Sequence, residues 1–144
     1  MRPVMFSRYG EGMGYGTHVD NAIMSDAALM RSDISITVFL SSPADYDGGE
    51  LVIEKDGERA YKLEAGSVIL YPSTTLHRVE RVTRGTRLVG VSWIQSMVRS
   101  PEDREVLFDL DGVRRTLFRT NGKTREFDLL TKTYVNLLRK WAEP

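Results

Sequence analysis

The chain of 144 residues contains two histidines and no cysteine, and both histidines lie where they could bind a metal ion. His18 and Asp20 are separated by one residue, and side chains alternate between the two faces of a strand, so both are predicted to point to the same side. His77 lies on a predicted strand much later in the chain. Without cysteine, a metal site must be built from nitrogen and oxygen ligands.

Two imidazoles and one carboxylate can occupy one face of an octahedral ion and leave three adjacent positions open. This ligand set indicates a non-haem Fe(II) oxygenase, in which a chelating co-substrate and O₂ both have to reach the metal. Each motif alone has a plainer explanation, since a His-x-Asp tripeptide is often a hydrogen-bonded pair and a lone histidine is often structural. A fourth residue favours the metal site.

Arg87 lies ten positions after His77, on the next predicted strand beyond the turn at 83–85. If that turn centres near residue 84, Arg87 pairs near Arg81, four residues along the strand from His77, or roughly 13 Å away. A five-carbon diacid chelated at the metal and an extended arginine bridge about that distance, and the guanidinium can hold the distal carboxylate by two hydrogen bonds. The alternative is a solvated strand residue beside Arg84.

The elements that position these residues are predicted to be short antiparallel strands. ISITVFL (34–40) is rich in β-branched residues, as a buried strand should be. Residues 46–49 are predicted to form a turn, and Asp56-Gly57 is a strong hairpin signal. With SRY, GTHVD, SVILY, LHRVERV and TRLVGVSWI, roughly eight strands are expected, at the spacing typical of a sandwich or barrel.

The last part of the chain is predicted to be helical. Ser100-Pro101 is a good helix start, apolar residues then recur at helical spacing, and Thr120-Asn121-Gly122 separates a second amphipathic segment that ends near Trp141. We therefore predict a core over residues 1–97 and a helical hairpin over 98–144 that packs on it within the same domain. The alternative for the hairpin is a dimer contact.

Composition restricts the functional class. Twenty Lys+Arg balance twenty Asp+Glu, so no overall charge attracts nucleic acid or an anionic membrane, which weakens a DNA-repair interpretation. No apolar run approaches the ~20 residues needed to cross a bilayer. The start MRPVMFSRYG lacks the pattern of a signal peptide. We expect a soluble cytoplasmic protein.

The pattern of His18, Asp20, His77 and Arg87 resembles the prolyl-4-hydroxylase-like branch of the 2-oxoglutarate oxygenases, in particular the bacterial PKHD-type hydroxylases. The surrounding stretches RYGEGMGYGTHVDNAI, YDGGELVIE, LYPSTTLHRV and RGTRLVGVSWIQSMVR are similar as well. The likeness extends over essentially the whole chain. Members of this family usually carry several dozen residues before the first core strand, whereas here the predicted strands begin almost at Met1.

The resemblance implies a mainly β fold, a double-stranded β-helix (jelly roll), with His18 and Asp20 on the second core strand, His77 opening the seventh and Arg87 the eighth. It implies Fe(II) as the metal, 2-oxoglutarate as co-substrate and L-ascorbate as an auxiliary reductant. The implied reaction hydroxylates a small-molecule or peptide substrate with O₂ and releases succinate and CO₂.

The resemblance also implies that Tyr9 hydrogen-bonds 2-oxoglutarate, although a tyrosine beside a turn is often a packing residue. Tyr15 and Tyr71 are expected to be pocket walls. Trp93 shares a strand face with Arg87 and is expected inside the barrel. Phe39 occupies the place where some prolyl hydroxylases have a tyrosine that contacts the co-substrate.

Two alternatives remain open on the sequence. One is a cupin-type metal-binding barrel that acts without 2-oxoglutarate, although cupins usually offer more than two histidines. The other is a non-catalytic relative that serves as a binding module or iron sensor. The sequence does not identify the primary substrate, and a homodimer is possible.

Overall fold

The computed structural model describes residues 3–25 and 29–143. The chain divides between Gln95 and Ser96 into two compact units. The first unit contains all the described strands and the second contains two helices. The mainly β prediction is therefore confirmed, while packing of the helical hairpin on the core stays a prediction.

The described strands are shorter and more numerous than the eight predicted. They are β1 (Met5–Tyr9), β2 (Tyr15–His18), β3 (Ile23–Met24), β4 (Met30–Arg31), β5 (Ile34–Phe39), β6 (Tyr46–Gly48), β7 (Leu51–Glu54), β8 (Glu58–Tyr61), β9 (Val68–Pro72), β10 (Leu76–Val79), β11 (Val82–Gly85) and β12 (Arg87–Ile94). Every pairing among them is antiparallel.

Two four-stranded sheets form the body of the first unit. One has the strand order β1-β12-β5-β9 and the other has the order β2-β10-β7-β8, while β11-β6 and β3-β4 are two-stranded. The buried apolar cluster contains Phe39 and Tyr71 from the first sheet and Leu51 and Ile53 from the second. The two large sheets are thus held together by apolar side chains from their facing sides.

The sequence of β5 explains its place in the middle of a sheet. Burial alternates along the strand, and Ser35, Thr37 and Phe39 are the buried residues. Their side chains point to one face because strand side chains alternate. Two of these three inward positions are polar, which is unusual for the inner strand of a sheet and has a consequence at the site.

The Asp56-Gly57 hairpin is confirmed. Glu54 pairs with Glu58, and both Asp56 and Gly57 have positive φ angles, of 52° and 107°, as a tight hairpin turn requires. The predicted turn over residues 46–49 is only partly right. Tyr46–Gly48 forms β6, which pairs with β11, and the chain turns at Gly48 and Gly49, whose φ angles are positive.

The predicted hairpin that joins the strands of His77 and Arg87 is wrong. β11 lies between them in the chain and pairs with β6. β10 pairs with β2 and β7, whereas β12 pairs with β1 and β5. His77 and Arg87 therefore belong to different sheets, because the chain leaves the sheet of β10 after Val79, passes through β11 and enters the other large sheet at Arg87.

Both predicted helices are present. α1 (Pro101–Asn121) is capped by Ser100, whose side chain accepts from the Asp103 amide, and it ends at Gly122 with a φ of 68°. α2 (Arg125–Trp141) is capped in the same way by Thr124. The Phe118 and Phe127 rings lie 5.0 Å apart and join the two helices. No described helix is long and apolar enough to span a membrane.

The β6–β11 ladder predicts a stability difference between two glycines with similar positive φ angles. A Cβ at Gly85 (φ +76°) would lie 2.1 Å from the Asp45 carbonyl oxygen, whereas a Cβ at Gly66 (φ +89°) would meet no described atom within 4 Å. Gly66→Ala should cost about 1–2 kcal/mol of unfolding free energy through its left-handed conformation. Gly85→Ala should cost roughly 1–3 kcal/mol more, because the overlap forces the backbones apart. Urea unfolding measures both, and equal losses would show that the close contact is unimportant.

Candidate metal centre

The β2–β10 ladder places the two histidines opposite each other. His77 pairs directly with His18, and their ring centroids lie 4.2 Å apart. The His77 side chain is 6% exposed and that of His18 is 30% exposed. Directly opposed residues of an antiparallel pair point to the same face, so both imidazoles face the space between the large sheets.

Each imidazole is oriented by a backbone carbonyl two residues earlier in the chain. His18 Nδ1 lies 2.8 Å from the Gly16 oxygen, and His77 Nδ1 lies 3.0 Å from the Thr75 oxygen. A carbonyl can only accept, so Nδ1 carries the proton on both rings and donates it. In the neutral imidazole the lone pair is then on Nε2, which is the arrangement found in metal-binding histidines.

Asp20 completes the cluster from outside the strand. β2 ends at His18, so the expected placement of Asp20 on the same core strand is not observed, although its side chain does turn to the same side. Asp20 Oδ1 lies 4.0 Å from His18 Nε2 and 3.8 Å from His77 Nε2. One ligand atom from each of the three residues lies within 4.8 Å of the others.

The donor set fits a divalent first-row metal. The two Nε2 atoms and Asp20 Oδ1 converge on one point. Asp20 Oδ1 lies 3.8–4.0 Å from each nitrogen, which is wider than the roughly 3 Å between neighbouring ligands that lie about 2.0–2.2 Å from an octahedral ion, so the side chains would close in by about an ångström around a bound ion. All three residues come from the same side of the space. The opposite side of an ion held there would be left for exogenous ligands, as in 2-His-1-carboxylate sites.

Arg87 is a buried cation in the opposite sheet. It is 1% exposed, and burial lowers the pKa of its guanidinium, an effect opposed by the phenols of Tyr9 and Tyr46. Its guanidinium carbon lies 5.1 Å from the Tyr9 ring centroid and 5.8 Å from that of Phe39. Within residues 3–25 and 29–143, Nε of Arg87 has no hydrogen-bond partner. A buried guanidinium with an unpaired Nε–H suits an anionic ligand.

The histidines and Arg87 line one cavity of about 640 Å³ between the two sheets. Tyr15 and Tyr71 lie in its wall, as predicted, and Trp93 faces the interior as expected. Tyr9 lines the same cavity, while its predicted contact with the co-substrate stays a prediction. Burial and the nearby Asp20 charge raise the pKa of Tyr71 well above its usual range, so Tyr71 stays neutral. Trp93 Nε1 is a buried donor without a partner among the described residues.

Sequence reasoning missed several polar residues at the site. Ser35 Oγ donates a hydrogen bond to Asp20 Oδ2 and lies 2.8 Å from Ser73 Oγ, and the buried Tyr46 lies beside Arg87. The signal was present in β5, where Ser35 and Thr37 share a face with Phe39 on a strand otherwise rich in apolar residues. Two small polar residues on the inward face of such a strand indicate a polar interior.

Comparison with known families agrees with this geometry. Residues 4–95 match the model of the 2OG-Fe(II) oxygenase superfamily. The chain belongs to this superfamily. Its residues 102–143 match the PKHD-type hydroxylase C-terminal domain. The resemblance inferred from the sequence is confirmed, and Fe(II) and 2-oxoglutarate are the metal and the co-substrate for which this superfamily is named.

Individual relatives extend the likeness over nearly the whole chain. PKHD-type hydroxylases of Synechococcus sp. and Acaryochloris marina are each 62% identical to it over 97% of its length. The chain spans 63% of the length of each of these relatives. A Pseudomonas putida prolyl-4-hydroxylase is 28% identical, with a TM-score of 0.51, over 64% of this chain and 51% of that one. A solved structure from Burkholderia pseudomallei, an oxidoreductase of the 2OG-Fe(II) oxygenase family, shows the same fold with a TM-score of 0.52. It is 23% identical, and the match covers 61% of this chain and 40% of that one.

The burial of Arg87 predicts that it destabilises the ligand-free fold. Arg87→Met keeps the apolar stem and removes a buried charge that has no carboxylate partner among the described residues, so the unfolding free energy should rise by about 1–4 kcal/mol. Urea unfolding without metal or added acids measures it. Arg84→Met is the control, since Arg84 is exposed and pairs with Asp47, and it should change stability little. A lower stability of Arg87→Met would mean that the surrounding residues already offset the cost of burying the guanidinium charge.

Proposed function

We propose that the protein is an Fe(II)- and 2-oxoglutarate-dependent oxygenase that hydroxylates a small-molecule or peptide substrate, with succinate and CO₂ as co-products. The observation that supports this is one cavity that holds both a His-Asp-His cluster and a buried arginine whose Nε has no hydrogen-bond partner among the described residues. The metal cluster alone would suit many enzymes. Its combination with a cationic wall suits a co-substrate that chelates the metal at one end and carries a carboxylate at the other.

His18, Asp20 and His77 are the proposed metal ligands. The backbone carbonyls of Gly16 and Thr75 hold the two imidazoles in the required tautomer, and the Asp20 carboxylate supplies negative charge to balance the cation. When bound, Fe(II) and 2-oxoglutarate would together supply the oxidant made from O₂. The protein's own part is to fix the ligands, orient the co-substrate and keep bulk water away.

Arg87 is the proposed partner of the distal 2-oxoglutarate carboxylate. Its position at the start of β12, across from Tyr9 in the β1–β12 ladder, puts a guanidinium and a phenol side by side. Burial raises the pKa of Tyr9 while the Arg87 charge lowers it, so the phenol stays protonated and can donate. Tyr9 is therefore the proposed second hydrogen-bond donor to 2-oxoglutarate.

Further expectations follow from the same proposal. L-ascorbate would serve as auxiliary reductant, and the location would be cytoplasmic. The balanced charge of the chain supports a small-molecule or peptide substrate rather than nucleic acid. A homodimer through the helical hairpin remains part of the proposal.

The metal assignment predicts that Asp20→Ala and His77→Ala abolish Fe(II)-dependent turnover. A methyl group cannot replace a ligand, and the chain has no third histidine to substitute. Substrate-independent succinate release from 2-oxoglutarate measures turnover, and the weak metal-to-ligand charge-transfer absorption of the complex measures binding. Asp47→Ala is the control, since Asp47 is exposed and does not line the cavity. Succinate release by Asp20→Ala would refute the assignment. If the parent binds Fe(II) and 2-oxoglutarate but releases no succinate, the non-catalytic alternative is favoured.

The co-substrate assignment predicts that Arg87→Ala weakens 2-oxoglutarate without weakening the metal. Charge-assisted hydrogen bonds of about 1.5–3 kcal/mol, more if the carboxylate is left unpaired, correspond to roughly ten- to several-hundred-fold in affinity. Arg87→Lys should recover part of the loss because it keeps the charge without the two-pronged geometry. Titration of the charge-transfer band measures both variants, with Arg84→Ala as control. An unchanged midpoint in Arg87→Ala would contradict the assignment.

A further inference from the structure

The Asp20 carboxylate is held by a side chain from the opposite sheet. Ser35 Oγ donates to Asp20 Oδ2, and Ser35 lies on β5, in the sheet that also contains Arg87. Ser73 Oγ lies 2.8 Å from Ser35 Oγ. Both serines are almost fully buried, with exposures of 2% and 3%. Water therefore has little access to this contact.

The protons available fix the direction of the chain of hydrogen bonds. An ionised carboxylate only accepts, and a serine hydroxyl has a single proton. Ser35 gives that proton to Asp20, so in its contact with Ser73 it must accept. The chain therefore runs from Ser73 to Ser35 to Asp20, and successive hydrogen bonds in one direction strengthen each other.

The two oxygens of Asp20 have separate partners. Oδ1 lies 3.8 and 4.0 Å from the two histidine Nε2 atoms, whereas Oδ2 accepts from Ser35. Asp20 lies beyond the end of β2, so no ladder hydrogen bonds fix its backbone as they fix that of His77. Without Ser35, the carboxylate could rotate about its Cβ–Cγ bond.

We propose that Ser35, supported by Ser73, is a positioning residue that makes Asp20 bind the metal through Oδ1 alone. The hydrogen bond occupies Oδ2 and turns it away from the histidines. A carboxylate that used both oxygens would take up one of the positions that the co-substrate and O₂ need. This inference rests on the metal site proposed above and adds the residue that sets how its carboxylate binds.

Mn²⁺ binding to the chain of residues 1–144 tests the proposal without turnover. Removing a residue that orients a metal ligand typically weakens metal binding by about 10- to 100-fold. We expect a loss in that range for Ser35→Ala, little loss for Ser35→Thr, which keeps the hydroxyl, and a smaller loss for Ser73→Ala. The electron paramagnetic resonance signal of free Mn²⁺ gives the affinities.

A second readout reports how Asp20 binds. If both carboxylate oxygens reach the metal in Ser35→Ala, bound Mn²⁺ holds fewer water molecules, and the water-proton relaxation rate at saturating protein falls below that of the parent. A loss of packing alone would not produce this change. An unchanged relaxation rate in a folded Ser35→Ala variant would overturn the claim of single-oxygen binding.

Ser41→Ala is the matched control. Ser41 is another buried serine next to the β5–β12 ladder; it accepts from the Leu88 amide and donates to the Thr86 carbonyl. Its loss should lower the melting temperature and leave Mn²⁺ affinity unchanged. An equal loss of Mn²⁺ affinity in Ser41→Ala would show that general destabilisation, not positioning, explains the Ser35 result.

The outcomes separate this inference from the proposed function. If the parent binds no Mn²⁺, the metal site itself fails and the inference fails with it. If the parent binds Mn²⁺, Asp20→Ala does not, and Ser35→Ala binds as the parent does, only the inference fails. If Ser35→Ala does not fold, Ser73→Ala is the deciding variant, since it removes the hydrogen bond from Ser73 to Ser35, one step further from Asp20. A Mn²⁺ affinity equal to that of the parent in Ser73→Ala would then overturn the proposal.

Discussion

The register of β10 is the constraint on which the site depends. His77 lies opposite Ile53 on one side and His18 on the other, while Val79 lies opposite Leu51. Directly opposed residues share a face, so the residues that build the apolar cluster also decide which way His77 points. A slip of β10 by one residue against β7 would leave Leu51 and Ile53 facing the core and turn both His77 and Val79 outward. Core packing thus enforces the metal geometry, although neither apolar residue needs to touch the metal.

Keeping polar groups inside this barrel requires a partner for each of them. The histidine Nδ1 atoms use backbone carbonyls, and the Asp20 carboxylate uses Ser35. Arg87 is different: its surroundings are the rings of Tyr9, Phe39 and Tyr46, which stabilise a cation only weakly compared with a carboxylate. Among the described residues the Arg87 charge therefore has no carboxylate partner, and an anion that enters the cavity can form the ion pair that the protein itself does not supply.

Local sequence predicted the elements better than their connections. Turn residues predict the Asp56-Gly57 hairpin, alternation predicts the strand at 34–40, and capping residues predict both helices. Each of these signals lies within a few residues of the element that it predicts. The direct hairpin from His77 to Arg87 was wrong because a further strand pair, β6–β11, intervenes, and pairing over more than thirty residues leaves no local signal. The contact between Ser35 and Ser73 left no local signal either, since 38 positions separate them, although the polar inward face of β5 was a local sign that Ser35 lies in a polar interior. Arg87 nevertheless lines the same cavity as His77, as the sequence predicted. The two residues meet there because their sheets face each other, and not because their strands form a hairpin.

The three candidate ligands differ in how rigidly the fold holds them. His18 and His77 are paired strand residues, so ladder hydrogen bonds set their backbones and carbonyl contacts set their rings. Asp20 has neither support, and sites on irregular segments are generally less exact than those on strands. The bond to Ser35 compensates by connecting this ligand to β5, the neighbour of the strand that begins with Arg87. Because that bond joins the segment that follows β2 to the other large sheet, the proposed positioning makes the orientation of the carboxylate depend on the distance between the sheets. A shift of one sheet against the other would then act first on Asp20, while the two histidines, both on one sheet, would move together.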